Sequence, residues 1–405
     1  MDWAKMAESA DMKKMIAWVL ACCMLTTAAF AAEPPASAAG DAPQDDGVFY
    51  YSQIRERLCE GNQTVLSLLD NKARVDALDR EKAYDDLLEL YNGMTDYIWA
   101  IRVGYMDGDL YGLKSTQESL EEQLEALKEE EYAKTYQESI HQIDYGIHQI
   151  VMAAQNVYTT IISLEQNYET AQRGYETMAR NLEVSRKMHD LGMMSQMDLI
   201  ALENQAASIE SQVASLEFAI SSAKDGMKLL IGDTGEEELV LSGDLLVSPE
   251  QLQEMKLAED TQKGLDNNLE YYNAKESVED LKETLDDTKG TGYKKQMAQK
   301  EYDAAVHSMQ NIELTFRQSA KTLYQTVQEK NRLLTVAKEA QKTQEQLFSV
   351  SQKKFQLGMI SKLDYQAAED SRKEAQQAVD AAELALFQAY QAYDWVQYGI
   401  ASSAA

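Results

Sequence analysis

Residues 184–199 read VSRKMHDLGMMSQMDL, and residues 350–365 read VSQKKFQLGMISKLDY. At an offset of 166 residues, Val184 pairs with Val350, Ser185 with Ser351, Lys187 with Lys353 and Leu191 with Leu357. The same register pairs Gly192 with Gly358, Met193 with Met359, Ser195 with Ser361 and Asp198 with Asp364. It runs on without a gap to Ala201 and Ala367, and to Glu203 and Glu369. Shared composition does not hold register in this way, so the chain contains an internal duplication. In each copy a glycine free to take the left-handed conformation ends one helix. Three residues on, Ser195 or Ser361 caps the next helix, and Asp198 or Asp364 completes a Ser-x-x-Asp capping box. Each stretch therefore predicts the turn of a helical hairpin.

The arms of both hairpins carry one period. Before Gly192 a 4-3 series runs through Ile143, Ile147, Ile150, Ala154, Val157, Ile161 and Leu164 to Leu182, and after it from Leu199 to Leu230. The second copy has Phe316, Ala320, Leu323, Val327 and Leu334 before its turn, then Tyr365 to Val396 after it. Apolar residues every 3.5 positions hold one seam against a partner helix, which is coiled-coil packing. Lys330 and Arg372 enter the second seam and predict a weaker or wetter one.

Composition agrees with long helices. The 405 residues include only 19 Gly and 4 Pro, too few breakers for many turns. A mean hydropathy of −0.46 excludes a polytopic helical membrane protein. Asp and Glu number 68 against 38 Lys and Arg, and the net charge of −30 repels a phosphate backbone, so no nucleic-acid partner is expected.

Lys13 and Lys14 precede an apolar run from Met15 to Ala32 that contains the small-x-small triplet Ala29-Phe30-Ala31, the pattern of an export signal. The expected organisation is a signal peptide over 1–31, a flexible linker over 32–48, first-repeat hairpins over 49–231, an irregular connecting segment over 232–263, and second-repeat hairpins over 264–400. Within it, helices are expected from Tyr50 to Tyr97, from Lys114, from Leu265 to Asp287, and from Lys294 to Leu357, with a connector over Val103 to Gly112. Glu238 to Leu241 reads as a short strand, and Ser248-Pro249-Glu250 as a helix start.

Chemistry-bearing constellations are missing. Cys59 is the lone cysteine beyond the signal, and His141, His148, His189 and His307 hold no metal-binding spacing. No phosphate loop or nucleophile elbow occurs, so neither a cofactor nor an enzymatic activity is expected. One feature exceeds what a turn needs. Met193, Met194 and Met197, with Met359, Ile360 and Leu363, put apolar side chains on the two tips, as either local staples or a docking surface.

The export signal, the paired long helices and Leu-Gly-x-x-Ser-x-x-Asp at each hairpin together resemble the TolC-type outer membrane efflux proteins. Asn267-Asn268-Leu269-Glu270 resembles the start of that family's second repeat, and Leu230-Ile231-Gly232 the close of its first. The resemblance implies an all-α protomer of two tandem coiled-coil hairpin repeats around a small equatorial segment, three copies forming a hollow α-barrel. It also implies an exported conduit in the cell envelope, whose tips dock on an adaptor (membrane fusion) protein of an inner-membrane pump. The matching tip positions are Leu191, Gly192, Ser195 and Asp198, with Leu357, Gly358, Ser361 and Asp364; the apolar Met193, Met359 and Leu363 join them as candidate docking residues of the tips. Asp364 also matches the first carboxylate of the family's tunnel gate, while Ala367 stands where a second would be.

One departure is plain. The family inserts two membrane-spanning strands between the first and second helices of each repeat, and such a pair needs over about twenty residues. Only Asp287 to Tyr293 is available in the second repeat. In the first, Tyr97, Trp99, Ile101, Val103 and Tyr105 alternate without a mate. The barrel strands are therefore expected to be missing or vestigial, with membrane association through partners or that vestige. An envelope coiled-coil protein, structural or adaptor-like and without transport, is the competing reading.

Overall fold

The computed structural model describes residues 48–105, 108–233, 235, 238–243, 245–290 and 292–401. The export signal and nearly all of the linker lie outside them. The described residues form two compact units, 63–150 and 48–62 with 151–401.

The first unit holds α2 (Gln63–Asp76), α3 (Arg80–Arg102), α4 (Leu110–Ala126) and the opening turns of α5 (Glu129–Asp190). Asp79 starts α3 by accepting from the Lys82 amide, and Asp109 starts α4 by accepting from the Tyr111 amide. Helices α3 and α4 pair through Leu87, Leu120, Leu124 and Leu127, all buried. Lys72 reaches Asp144 at 2.7 Å, and the Tyr136 hydroxyl donates to Asp76 at 3.1 Å, tying α2 to α5.

The second unit holds β1 (Val48–Phe49), α1 (Ile54–Gly61), the rest of α5, α6 (Gln196–Ile231) and β2 (Val240–Leu241). It continues with α7 (Pro249–Glu254), α8 (Leu257–Asp266), α9 (Leu269–Asp287), α10 (Tyr293–Gln356) and α11 (Lys362–Asp394). At 64 residues α10 runs for about 96 Å at ~1.5 Å per residue. Its seam residues Phe316, Ala320, Leu323 and Val327 pack on Leu386, Ala389 and Tyr393 of α11, with Leu265 of α8 and Val396 closing the end. Farther along, Leu334 and Ala337 are only half-buried, so the seam thins toward the tip. Strands β1 and β2 pair in parallel, and Tyr158 of α5 sets its hydroxyl 2.8 Å from the Ser242 carbonyl and 3.0 Å from that of Phe49.

A duplicated latch closes this unit. Helix α6 ends on Gly232 (φ 72°), which lies on Gly61 of α1 so closely that a Cβ on Gly61 would sit 2.0 Å from the Ile231 carbonyl oxygen. The chain after α11 turns at Gly399 (φ 79°), and Gly264 of α8 bears the same relation to the Val396 carbonyl, again at 2.0 Å. Asparagines lock both crossings. Asn62 donates to the Leu230 carbonyl at 2.7 Å, and Asn267 and Asn268 donate to those of Gln397 and Gly399 at 2.8 Å. Buried backbone carbonyls thereby gain partners that their helices cannot supply.

The architecture is all-α with long helical hairpins, and β1 and β2 are the described strands. Val240 and Leu241 fall within the expected strand, and Ser248 caps α7 in a complete capping box. Two expectations need correction. The helix expected from Tyr50 to Tyr97 is broken at Asn62 and over 77–79, where Asn62 turns to the latch and Asp79 caps α3. The helix expected from Leu265 to Asp287 breaks at 267–268, because Asn268 caps α9 by accepting from the Tyr271 amide. The barrel strands are missing as expected: Tyr97, Trp99 and Ile101 are helical within α3, with Ile98 as the buried position, and no strand forms there. No closed barrel exists among the described residues.

Candidate docking site at the hairpin tips

The two hairpin turns have the same backbone. At the first, the Gly192 amide donates to the His189 carbonyl and the Met193 amide to that of Met188, both at 2.8 Å. At the second, Gly358 donates to Phe355 at 2.9 Å and Met359 to Lys354 at 2.8 Å. This pair of bonds is the Schellman ending, and Gly192 and Gly358 adopt its left-handed φ of 70° and 69°. The next helices then start alike. Ser195 accepts from the Asp198 amide at 3.2 Å, and Ser361 from that of Asp364 at 3.1 Å. The Asp364 carboxylate returns to the Ser361 amide at 3.2 Å, and each serine hydroxyl donates to its aspartate at 2.7 Å.

Apolar side chains crown both turns. Leu191 is 74% exposed, Met193 69%, Leu357 74%, Met359 68% and Leu363 56%. A staple would bring Met193 onto Met188 across the Schellman turn, and Met188 is exposed as well. Met194 and Ile360 are half-buried, so within each Met-Met or Met-Ile pair the second residue packs locally and the first stands out. Behind the second tip, Phe355 stacks on Tyr365 at 4.7 Å and Phe348 lies 5.6 Å from the same ring. The residues singled out in the sequence thus sit at the two hairpin turns, and the turns share one backbone geometry.

Above the tips, α5, α10 and α11 border an open groove of about 440 Å³ lined by Arg173, Arg372 and Lys373 with Glu176 and Glu345. Arg180 of α5 meets Asp370 of α11 at 2.8 Å, and Lys224 of α6 meets Glu165 of α5 at 2.9 Å. Arg372, a charge in an apolar seam, lies over the Phe348 ring 5.0 Å from its centroid, an arrangement that favours a cation. Asp364, matched above to a gate carboxylate, is exposed and engaged in the cap.

The latch carries the strongest titration shift toward neutral pH. Burial and the neighbouring Asp260 push the Asp394 carboxyl up to about 6, partly opposed by Lys263. Tyr393 donates to Asp260 at 2.5 Å. Sequence reasoning missed this cluster and the latch glycines; only the Asn267-Asn268 and Leu230-Ile231-Gly232 strings pointed to the region. Among the described residues no cluster of His, Cys, Asp and Glu could hold a metal ion.

No family model matches the chain, and no curated protein matches it. Solved structures do. CusC, a transmembrane channel, is 12% identical over 87% of this chain and 96% of its own, with a TM-score of 0.53. The MtrE outer membrane channel of Neisseria gonorrhoeae, in its open state, is 11% identical over 86% and 88%, with a TM-score of 0.50. The CmeC outer membrane channel of Campylobacter jejuni is 11% identical over 66% of each chain, with a TM-score of 0.44. At such identities the likeness is one of fold. The chain has the fold of the TolC-type outer membrane efflux channels, with no closed barrel among its described residues.

Proposed function

We propose that the protein is an exported conduit component of an efflux or secretion system, acting as a homotrimer in the cell envelope. Its two hairpin tips dock on an adaptor (membrane fusion) protein that couples it to an inner-membrane pump. The observation that carries this reading is the pair of tips: two turns of one geometry, each raising exposed leucine and methionine side chains where a solvated turn needs none. Methionine is flexible and polarizable, and suits a surface that must fit another hairpin. The conduit is non-enzymatic, and its many carboxylates would favour cations wherever they face the lumen.

A specific observation also favours the alternative, an envelope coiled-coil protein without transport. Helix α9 ends at Asp287 and α10 starts at Tyr293, so five residues lie where two spanning strands would need more than about twenty. One experiment separates the readings. Replacing Met193, Met359 and Leu363 together by Ser should leave helix content unchanged and abolish capture of the adaptor and export of pump substrates. Normal export by a variant that has lost helix content would make the three residues staples and favour the structural reading.

A further inference from the structure

The two hairpin tips share a backbone and differ in charge. From 183 to 203 the first tip carries Glu183, Arg186, Lys187, Asp190, Asp198 and Glu203, a net charge of −2 with His189 neutral. At the offset of 166 the second tip carries Lys353, Lys354, Lys362, Asp364 and Glu369, a net charge of +1 in a protein of −30. The cations of the first tip are taken up within the chain, Arg186 by Glu203 at 3.0 Å and Lys187 by Glu183 at 2.6 Å. Those of the second are not. Ser349 stands where Glu183 would serve Lys353, Glu369 is held by Lys373 at 3.0 Å, and the Asp364 carboxylate is engaged in the Ser361 cap. Lys353, Lys354 and Lys362 are exposed and make no ion pair among the described residues. Local helix stability accounts for two of them, since Lys353 and Lys354 lie in the last turn of α10, at the negative end of the helix. It does not account for Lys362. That lysine is the first residue of α11, where the helix end is positive and a cation is unfavourable. The neutral Gln196 holds the same place at the first tip.

We infer, on the tip docking proposed above, that the second tip takes a partner surface in which carboxylates surround an apolar centre, and that the first tip does not. Leu357, Met359 and Leu363 stand exposed among the three lysines and supply the matching apolar centre. A cation held at the wrong end of a helix costs stability that an opposing carboxylate restores through a charge-assisted hydrogen bond. Charges at the rim of an interface steer and orient association more than they tighten it, and like charges set opposite one another reject the wrong partner. An acidic surface is therefore guided to the second tip and turned away from the first, whose net charge has its own sign. Two tips of one backbone geometry thereby receive different partner faces. A nucleic acid fits less well, because its phosphates track a long basic surface and the chain beyond these lysines is strongly acidic.

The test uses the chain from residue 32 and two fluorescent synthetic helical hairpins, identical except that the leucines at their turn are flanked by glutamates in one and glutamines in the other. The Glu hairpin should bind more tightly in spite of the net charge of −30, and its advantage should fade with salt. Changing Lys353, Lys354 and Lys362 to Gln should weaken it about tenfold and remove the salt dependence, as expected for the loss of three exposed ion pairs. Changing the same three to Arg should retain binding, and changing Arg186 and Lys187 to Gln should leave it unaltered. A carbodiimide, which condenses a carboxylate with an amine it touches, should join the Glu hairpin to the lysines of the second tip and not to Lys187. Equal binding of the two hairpins, indifferent to the lysine changes but lost when Met359 and Leu363 become Ser, would overturn the acidic partner and leave tip docking standing. Lysine-dependent binding that survives those Ser changes, or a preference for duplex DNA over the Glu hairpin, would make the lysines a bare charge patch and overturn the acidic docking surface. Binding of neither hairpin would overturn it too, with tip docking then decided by adaptor capture alone.

Discussion

Replacing Gly264 by Ala tests whether the latch is the structural centre of the second unit. A Cβ at this position would lie 2.0 Å from the Val396 carbonyl oxygen and 2.8 Å from Cζ of Phe316. Ordinary contact begins near 3.4 Å, so α8 and the segment after α11 would have to part by more than an ångström. Neither neighbour can yield cheaply, since Val396 is fully buried and Phe316 sits in the core cluster. Parting a packed interface by that much forfeits a quarter to a half of the dispersion energy across it. Overpacking costs up to about 3 kcal/mol, and the better helix propensity of Ala returns up to ~1 kcal/mol, leaving a loss of about 2 kcal/mol. For a unit of this size that lowers Tm by roughly 4–8 °C. Gly174→Ala in α5 and Gly226→Ala in α6 are the internal standards, because a Cβ at either meets nothing within 4 Å. Each should gain about 0.5–1 kcal/mol. Thermal unfolding followed by circular dichroism reads all three. Stabilisation by Gly264→Ala equal to that by Gly174→Ala would refute the close crossing.

Asp394→Asn should raise stability at pH 7 by about 3 kcal/mol at most, because the native site holds the carboxyl near 6 against an ordinary value near 3.8. Between those values the folded chain binds more protons than the unfolded one, so the wild-type contribution falls as pH rises from 4 to 6; urea titrations across that range should show the variant's advantage growing and then levelling above it. Gly358→Val, at φ 69° with nothing within 4 Å of the new Cβ, should cost at least ~1 kcal/mol through backbone strain alone and leave helix content intact. A loss of helix across α10 in that variant would show the turn to be part of the folding core. Sedimentation equilibrium of the chain from residue 32 should yield a trimer whose population rises with concentration, since Phe218 and Leu229 of α6 and Leu314, Leu333 and Val336 of α10 stay exposed in one chain. A compact monomer at every concentration would remove the α-barrel arrangement.

The features that could be read from the sequence were those whose interactions close within a few residues. Gly192, Ser195 and Asp198, and their counterparts at 358, 361 and 364, bond across three to five positions, so spacing alone specified both turns. The seams were legible for a related reason, since a period of 3.5 repeats the same contact every two turns. The helix breaks were not. Asn62 follows a glycine that a helix can carry, and what stops α1 there is a carbonyl 168 residues away. Asn268 likewise answers to a carbonyl 131 residues away as well as to its own helix. Arg372 looked like a flaw in the seam because nothing at heptad spacing announces the Phe348 ring beneath it. The alternation from Tyr97 to Ile101 makes no strand because apolar residues at every second position also place Tyr97 and Ile101 one helical turn apart. The latch is the extreme case. Its working surface is backbone, a glycine Cα against a carbonyl, so its whole trace in the sequence is a glycine that looks like a weak point and an asparagine that looks like a loop. A duplicated fold can keep such a joint while nearly every side chain around it changes, and two joints built alike at Gly61 and Gly264 accord with two repeats that match closely only at their tips.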